Sequence, residues 1–281
     1  MVVGAEAHAS LLKALAMLGF GRERVVRVAV DGQGRMDPAG FPEISGPAIV
    51  CLQAGNVNTG AFDPAAEIIP RARDAGAWVH VDGAFGIWAA VTPTRAPLMA
   101  GYAAADSWAT DAHKWLNVPY DGGIVLTRDP AALAAAMSIK AAYLHESEQR
   151  DPFDFTPECS RRMRGLEVWT ALKSLGRDGL AEMIERNCRQ AARLAEGLRE
   201  AGFEILNDVV LNQVMVSFGS PETTERVIVA VQEDGTCWCG GTVWQGRTAM
   251  RISVSSWATT DDDIERSLAA VLGSAKRVRG D

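Results

Sequence analysis

The 281-residue chain has a formal net charge of −7 and 48% hydrophobic residues, which is typical of a globular protein with a sizeable core. Because phosphate binding needs clustered lysine and arginine, the acidic charge argues against a nucleic-acid partner. No apolar run reaches the ~20 residues that cross a bilayer and no signal-peptide pattern opens the sequence, so we expect a cytoplasmic protein with no membrane association.

The first half of the chain alternates strands and helices. The predicted elements are, in chain order, a helix at 10–18, strands at 25–30 and 48–52, a helix at 63–75, and strands at 77–81, 106–109 and 123–127. Within the predicted helix 63–75, Pro64 suits the first helical position. Apolar strands connected through helices predict a largely parallel, buried sheet, and therefore an α/β fold.

The residue pattern changes after residue 142, because the stretch 144–155 is charged and has little apolar periodicity. We therefore predict a large domain at 1–142, a mobile loop and linker at 143–160, and a small α+β domain at 161–281. In the small domain we predict helices at 164–175, 179–201, 222–233 and 260–272, and strands at 203–206, 214–218, 236–243 and 250–254.

The five cysteines are scattered and do not predict a disulfide framework. Cys237-Trp238-Cys239 would suggest a metal, but no matching Cys or His pair lies nearby in the sequence, and we predict no metal site.

Lys114 differs from the other four lysines because it follows a predicted buried strand. We expect poor solvation at this position, which lowers the pKa of the ammonium group and frees the amine to form a Schiff base. Taken alone, such a lysine more often packs its stem along the surface.

Asp82 ends another predicted strand, at the edge where open α/β sheets bind ligands. A carboxylate there can pair with a protonated pyridine nitrogen, and the small Ala84 lets a flat ring approach closely. A turn-capping role for Asp82 is one alternative. A metal pair with His80 is another, although no further ligand has suitable spacing.

The order of these residues resembles a known family. His8, Asn56, Asp82-Gly83-Ala84 and His113-Lys114-Trp115 occur as in the pyridoxal-5′-phosphate (PLP) dependent group II amino-acid decarboxylases. This family of fold type I includes aromatic amino-acid, glutamate and histidine decarboxylases. The resemblance covers nearly the whole chain and is strongest over residues 105–115.

The resemblance implies a role for each matching residue. Lys114 carries the internal aldimine with PLP, and Asp82 pairs with the pyridine nitrogen. His8 stacks on the ring face opposite Ala84, and His113 reaches the phosphate.

Other positions match the family less directly. Asn56 and Ser107 are candidates for further polar contacts with the cofactor. Asp111 stands where many members of the family have asparagine, and two anions repel, which argues against a direct phosphate contact. Arg251 is a candidate for binding a substrate carboxylate, with a structural ion pair as the alternative.

The stretch 140–155 corresponds to the family's catalytic loop, which closes over the substrate. Tyr143 and His145 are its candidate proton donors to the carbanion left by CO2 loss, and a solvated or structural role is the alternative for both. Active sites of the family lie at a two-fold interface, so the resemblance also implies a homodimer.

The resemblance therefore implies a PLP-dependent carboxy-lyase that releases CO2 from an L-amino acid. Members of the family carry a long segment before the stacking histidine, including a turn that cradles the phosphate, so we expect this chain to lack an N-terminal part. Its activity is then expected to be impaired. The alternatives are a non-catalytic remnant with at most an interaction role, and another fold type I reaction such as amino transfer.

Overall fold

The computed structural model describes residues 1–143 and 149–280, and its first half forms a six-stranded sheet in the order β2-β1-β3-β4-β5-β6. Neighbouring strands are parallel except β6, which is antiparallel to β5. The strands are β1 (Val2–Gly4), β2 (Val26–Val28), β3 (Ile49–Gln53), β4 (Trp78–Asp82), β5 (Ser107–Asp111) and β6 (Gly123–Thr127).

Helices α1 (Ala9–Met17), α2 (Ala65–Asp74) and α3 (Pro130–Met137) belong to the same half of the chain. Helix α2 buries Ile68 and Ile69 in the core beside the apolar residues of β3 and β4. Pro64 is the N-cap of α2 rather than its first helical residue, so the helix begins one residue after the position that the sequence predicts for Pro64.

The second half of the chain forms an antiparallel sheet in the order β7-β8-β10-β9, together with helices α5 and α6. Apolar residues of α5, α6 and these strands share one core. The elements are β7 (Glu204–Ile205), β8 (Gln213–Ser217), α5 (Pro221–Asp234), β9 (Gly240–Trp244), β10 (Arg247–Ser253) and α6 (Asp261–Arg279).

Helix α4 (Arg164–Glu200) connects the two halves and is interrupted at Gly176, whose φ of 61° and ψ of −173° are not helical. Glycine tolerates this left-handed φ because it has no Cβ. The interruption explains why the sequence predicts two helices here. Beyond it, Leu180 and Ile184 pack into the core of the first sheet, while Leu194 and Leu198 pack into the core of the second.

The mostly parallel first sheet and the separate antiparallel second sheet confirm the predicted fold class. Strand β1 escaped prediction because it has three residues and is defined by its pairing with β2 and β3 rather than by an apolar pattern. Among the described residues, no helix combines the length and apolar character that crossing a membrane requires.

Candidate active site

The carboxyl ends of β4 and β5 bring two predicted site residues, Asp82 and Ala84, next to Asp111. Asp82 is the last residue of β4, and Asp111 is the last residue of β5. The Ala84 carbonyl accepts a hydrogen bond from the Asp111 amide at 2.9 Å, and the Ala84 amide donates to Asp82 Oδ1 at 3.2 Å. The predicted turn-capping role of Asp82 is therefore present, and it leaves Oδ2 of the carboxylate for a ligand.

Lys114 lies in the turn that follows β5, with its Nζ 2.8 Å from Asp111 Oδ2. Its side chain is 40% exposed, so the expected poor solvation is wrong for this structure. Lys114 is thus held in an ion pair that has to open before its amine acts as a nucleophile.

His113, beside Lys114, is fixed by two contacts. Its Nδ1 lies 2.8 Å from the Gly122 carbonyl, and its ring stacks on Tyr120 with centroids 4.3 Å apart. A carbonyl only accepts hydrogen bonds, so Nδ1 carries a proton. Nε2 lies 3.9 Å from Asp111 Oδ2.

His8 is the N-cap of α1 and is half-buried. Its Nδ1 accepts a hydrogen bond from the Ser10 amide at 3.2 Å and lies 2.7 Å from Ser10 Oγ. Strand β1 ends at Gly4 and runs parallel to β3, so the segment that carries His8 leaves the sheet at the same edge as Asp82. The strand that positions this histidine is the one that escaped prediction.

Asn56 lies in the loop after β3 and is buried. Its Oδ1 accepts a hydrogen bond from the Asn58 amide at 2.9 Å, and its Nδ2 donates to Glu6 Oε2 at 3.3 Å. The structure therefore gives Asn56 a loop-organising role, and its predicted cofactor contact stays a prediction. Neighbouring Gly55 has a φ of 98°, and a Cβ there would lie 2.8 Å from the Phe85 ring, so glycine is required.

Glu6 was not predicted as a site residue. Besides Asn56, its carboxylate accepts hydrogen bonds from Trp244 Nε1 and Gln245 Nε2, both at 2.9 Å. Trp244 ends β9 and Gln245 lies in the turn between β9 and β10, so Glu6 ties the loop near His8 to the second sheet. No local pattern reveals such a contact, because the partners are about 240 residues apart in sequence.

Ser107 lies at the amino end of β5, not at the carboxyl edge. Its hydroxyl accepts a hydrogen bond from Trp78 Nε1 at 2.8 Å and lies 2.9 Å from His80 Nδ1. The structure therefore does not bring Ser107 together with Lys114. Burial lowers the pKa of His80, with the charge of Asp82 opposing the shift.

Arg251 on β10 donates to the Val57 carbonyl at 2.9 Å, in the loop that carries Asn56. Burial lowers the pKa of Arg251, and no carboxylate pairs with it within residues 1–143 and 149–280. The structural ion pair is therefore not what holds it. Tyr143 is 79% exposed, and His145 lies outside the described residues.

A series of hydrogen bonds holds the turn that carries Lys114. Trp115 Nε1 donates to Asn187 Oδ1 on α4 at 2.9 Å, and Asn187 Nδ2 donates to the Ser256 carbonyl at 3.2 Å. Asn117 Nδ2 donates to the Ser255 carbonyl at 2.9 Å. The turn that bears Lys114 is thus anchored to both α4 and the segment that follows β10.

The groups at the carboxyl edge fit the ring and aldehyde of PLP. An amine at Lys114, a carboxylate at Asp82, an imidazole at His8 and the small Ala84 are the types that such a cofactor uses for attachment, charge pairing and stacking. The phosphate end fits less well, because Asp111 places a carboxylate beside His113.

Comparison with known proteins places these residues in a family context. A family model described as the pyridoxal-dependent decarboxylase conserved domain matches residues 1–219. Mouse acidic amino acid decarboxylase GADL1 is 31% identical over 240 residues, which are 80% of this chain and 44% of the mouse protein. The L-2,4-diaminobutyrate decarboxylase of Rhizobium meliloti is 29% identical over 99% of this chain and 60% of its own length.

Solved structures agree in fold. Mouse CSAD in apo form superposes with a TM-score of 0.88 at 25% identity, over 98% of this chain and 63% of the mouse chain. Oryza sativa TDC with PLP and tryptamine superposes with a TM-score of 0.89 at 21% identity, over 98% of this chain and 62% of the rice chain. The chain thus spans between 44% and 63% of these proteins.

Proposed function

Because the chain belongs to the pyridoxal-dependent decarboxylase family, we propose that it removes the carboxyl group of an L-amino acid as CO2 with PLP as its cofactor. The observation that carries this proposal is the meeting of Asp82, Ala84, Asp111 and Lys114 at one sheet edge. When bound, PLP supplies an electron sink that stabilises the electron pair left at Cα as CO2 departs.

Lys114 provides the amine that attaches the cofactor. At 2.8 Å from Nζ, Asp111 Oδ2 is placed to take up the proton that the ammonium releases. In the proposed site, Asp111 therefore acts on Lys114 rather than on the phosphate, where its negative charge is unfavourable.

Asp82 would hold the positive charge on the pyridine nitrogen through a charge-assisted hydrogen bond, and the ring would then be a stronger electron acceptor. The hydrogen bond from the Ala84 amide orients this carboxylate. His8 would stack on one face of the ring, and the small side chain of Ala84 would leave room on the other. His113, held by the Gly122 carbonyl, would contact the phosphate.

We further propose Tyr143 as the group that returns a proton to Cα. Its phenol is a suitable acid and its side chain is exposed, as is typical of a group on a loop that closes over substrate. His145 is the alternative donor. Arg251, which already bonds the loop after β3, is the proposed ligand of a substrate carboxylate.

The assembly proposed is a homodimer in the cytoplasm. Exposed large apolar side chains support an assembly, among them Leu166 at 50% and Trp169 at 60% exposure on α4, because monomers rarely expose such groups together. Sedimentation of the purified protein tests the dimer directly.

The test of function is release of labelled CO2 from a panel of carboxyl-labelled L-amino acids in the presence of PLP. The panel spans acidic, basic and aromatic side chains, because the relatives are named for acidic amino acids and for 2,4-diaminobutyrate. We expect CO2 and the matching amine from one class. A keto acid without CO2 would instead establish amino transfer, and no product with any substrate would establish a non-catalytic chain.

A further inference from the structure

A second cluster of reactive side chains lies in the small domain, in the loop between α5 and β9. Cys237 and Cys239 line a cavity of about 220 Å³. Its walls also include Ser267 of α6 and the segment Ser255–Ser256 that follows β10. Nothing in the proposed decarboxylation uses this cavity.

The backbone of this loop points both cysteines the same way. Trp238 between them is 76% exposed, whereas Cys239 is 3% exposed and Cys237 is half-buried. Both cysteines line the same cavity while Trp238 is exposed, so both sulfurs face inward and the indole faces out. The two thiols are close enough that each shifts the pKa of the other.

This arrangement is compatible with a disulfide. Even at the strand rise of ~3.3 Å per residue, residues two apart are separated by ~6.6 Å between Cα atoms, and a bend in the chain shortens this distance. That separation lies within the range of up to ~6.8 Å that disulfides span. The loop belongs to no helix or strand, so closing the bond breaks no sheet or helix hydrogen bonds.

The environment also activates one of the two sulfurs. Hydrogen bonds from Cys239 and then Ser267 lower the pKa of the Cys237 thiol to about 7, against opposing effects of burial and of Asp234. The same hydrogen bond, together with burial, raises the pKa of Cys239. The lowered pKa raises the thiolate fraction of Cys237 at neutral pH above that of a free cysteine.

The buried cysteines elsewhere are different. Burial raises the pKa of Cys51 to about 12 and that of Cys188 to about 11. Neither is a nucleophile at neutral pH. Cys159 is exposed and, as a single surface thiol, serves as an internal reference.

We propose that Cys237 and Cys239 form a reversible dithiol–disulfide site that is oxidised by hydroperoxides. The Cys237 thiolate attacks one peroxide oxygen, the O–O bond breaks, and a sulfenic acid forms. The other oxygen takes a proton and leaves as water, or as an alcohol where the oxidant is an organic hydroperoxide. The Cys239 thiol then attacks the sulfenic sulfur, an S–S bond forms, and a water molecule leaves. Two sulfurs are oxidised and one peroxide is reduced.

The experiment uses the purified 281-residue chain with increasing hydrogen peroxide at pH 7, followed by alkylation of free thiols and tryptic mass spectrometry. Cleavage after Arg226 and Arg247 places Cys237 and Cys239 on one peptide with no other cysteine. We expect this peptide to lose both alkylation sites and two hydrogen atoms, at a lower peroxide dose than modifies Cys159, and to recover fully with dithiothreitol.

Two variants separate the site from general oxidation. Cys159→Ser leaves the response of the 227–247 peptide unchanged. Cys237→Ser abolishes the two-hydrogen loss, and Cys239 stays alkylatable. The proposal is overturned if both cysteines of the wild-type peptide remain alkylatable at doses that oxidise Cys159, or if Cys237 proceeds to sulfinic acid with no disulfide. Both readings come from the wild-type chain, so they hold even if a variant folds poorly.

Discussion

The amino and carboxyl ends of β4 and β5 carry equally polar side chains, but their environments differ. At the amino end, Ser107 contacts Trp78 and His80, and burial depresses the pKa of the imidazole. At the carboxyl end, Lys114 and Asp111 pair at 2.8 Å while their side chains stay 40% and 35% exposed. The polar groups at the amino end are hydrogen-bonded to one another, whereas the charged groups at the carboxyl end remain accessible to a ligand.

This difference teaches that residue type alone does not locate a site. A serine, a histidine and a tryptophan are common in active sites, yet at the amino end they bond one another. Ligands of open α/β sheets bind outside the carboxyl ends of the strands, where the loops diverge and leave a crevice. The comparison predicts large functional effects at one end of the strands and only stability effects at the other.

The largest effect is expected for Lys114→Ala, because the amine both attaches the cofactor and takes part in proton transfer. We expect turnover to fall by at least ~10³-fold. The measurement is kcat/KM for the best substrate of the panel, with the exposed Lys173→Ala as the matched control. An equal loss of kcat/KM in Lys114→Ala and Lys173→Ala would contradict a specific catalytic role for Lys114.

Asp82→Asn is next, since it keeps the shape of the side chain and removes its charge. Loss of the charge partner of the ring should lower kcat by ~10² to 10³-fold while the melting temperature changes little. Asp74→Asn, at the exposed end of α2, is the control and should leave kcat unchanged. A near-normal kcat for Asp82→Asn would contradict the proposed charge pairing.

Ser107→Ala tests the amino end. Removing the hydroxyl deprives Trp78 and His80 of their partner, so we expect a loss of about 1 to 3 kcal/mol in the free energy of unfolding. Affinity for PLP should not change. Denaturant unfolding and a PLP titration measure the two effects, and weaker PLP binding at unchanged stability would support the sequence-based role of Ser107 instead.

The smallest effect concerns His80. Its pKa is depressed by burial in the folded state, so protonation favours the unfolded chain. The contribution of His80 to stability is therefore full above about pH 6.5, its ordinary pKa, and is lost as the pH falls through its folded-state pKa. An NMR titration should give an imidazole pKa below 6.5 for His80. His80→Gln should make the free energy of unfolding depend less on pH in this acid range. A pKa above 6.5 would contradict the buried, neutral state.

The carboxyl edge could be predicted from the sequence because each part of it is local. Asp82 ends an apolar run, and Lys114 follows another, so the parallel sheet alone brings them together. The exposure of the Lys114 side chain could not be predicted, because it depends on the path of the turn after β5 and on the ion pair with Asp111.

Long-range contacts account for most of what the sequence did not reveal. Glu6 joins Asn56 to Trp244, and Trp115 joins Asn187, through hydrogen bonds between segments far apart in sequence. None of these pairs has a local pattern. Strand β1 is similar, because three residues form a strand only once neighbouring strands are in place.

The central claim is that Lys114 attaches PLP at the carboxyl edge. Incubation of the chain with one equivalent of PLP, reduction with borohydride and tryptic mass spectrometry test it most directly, because reduction makes the lysine attachment permanent. The account predicts the cofactor-derived mass on Lys114, within the peptide that follows Arg95 and ends at Arg128. Labelling of Lys13, Lys140, Lys173 or Lys276 to the same extent, or no labelling at Lys114, would contradict it.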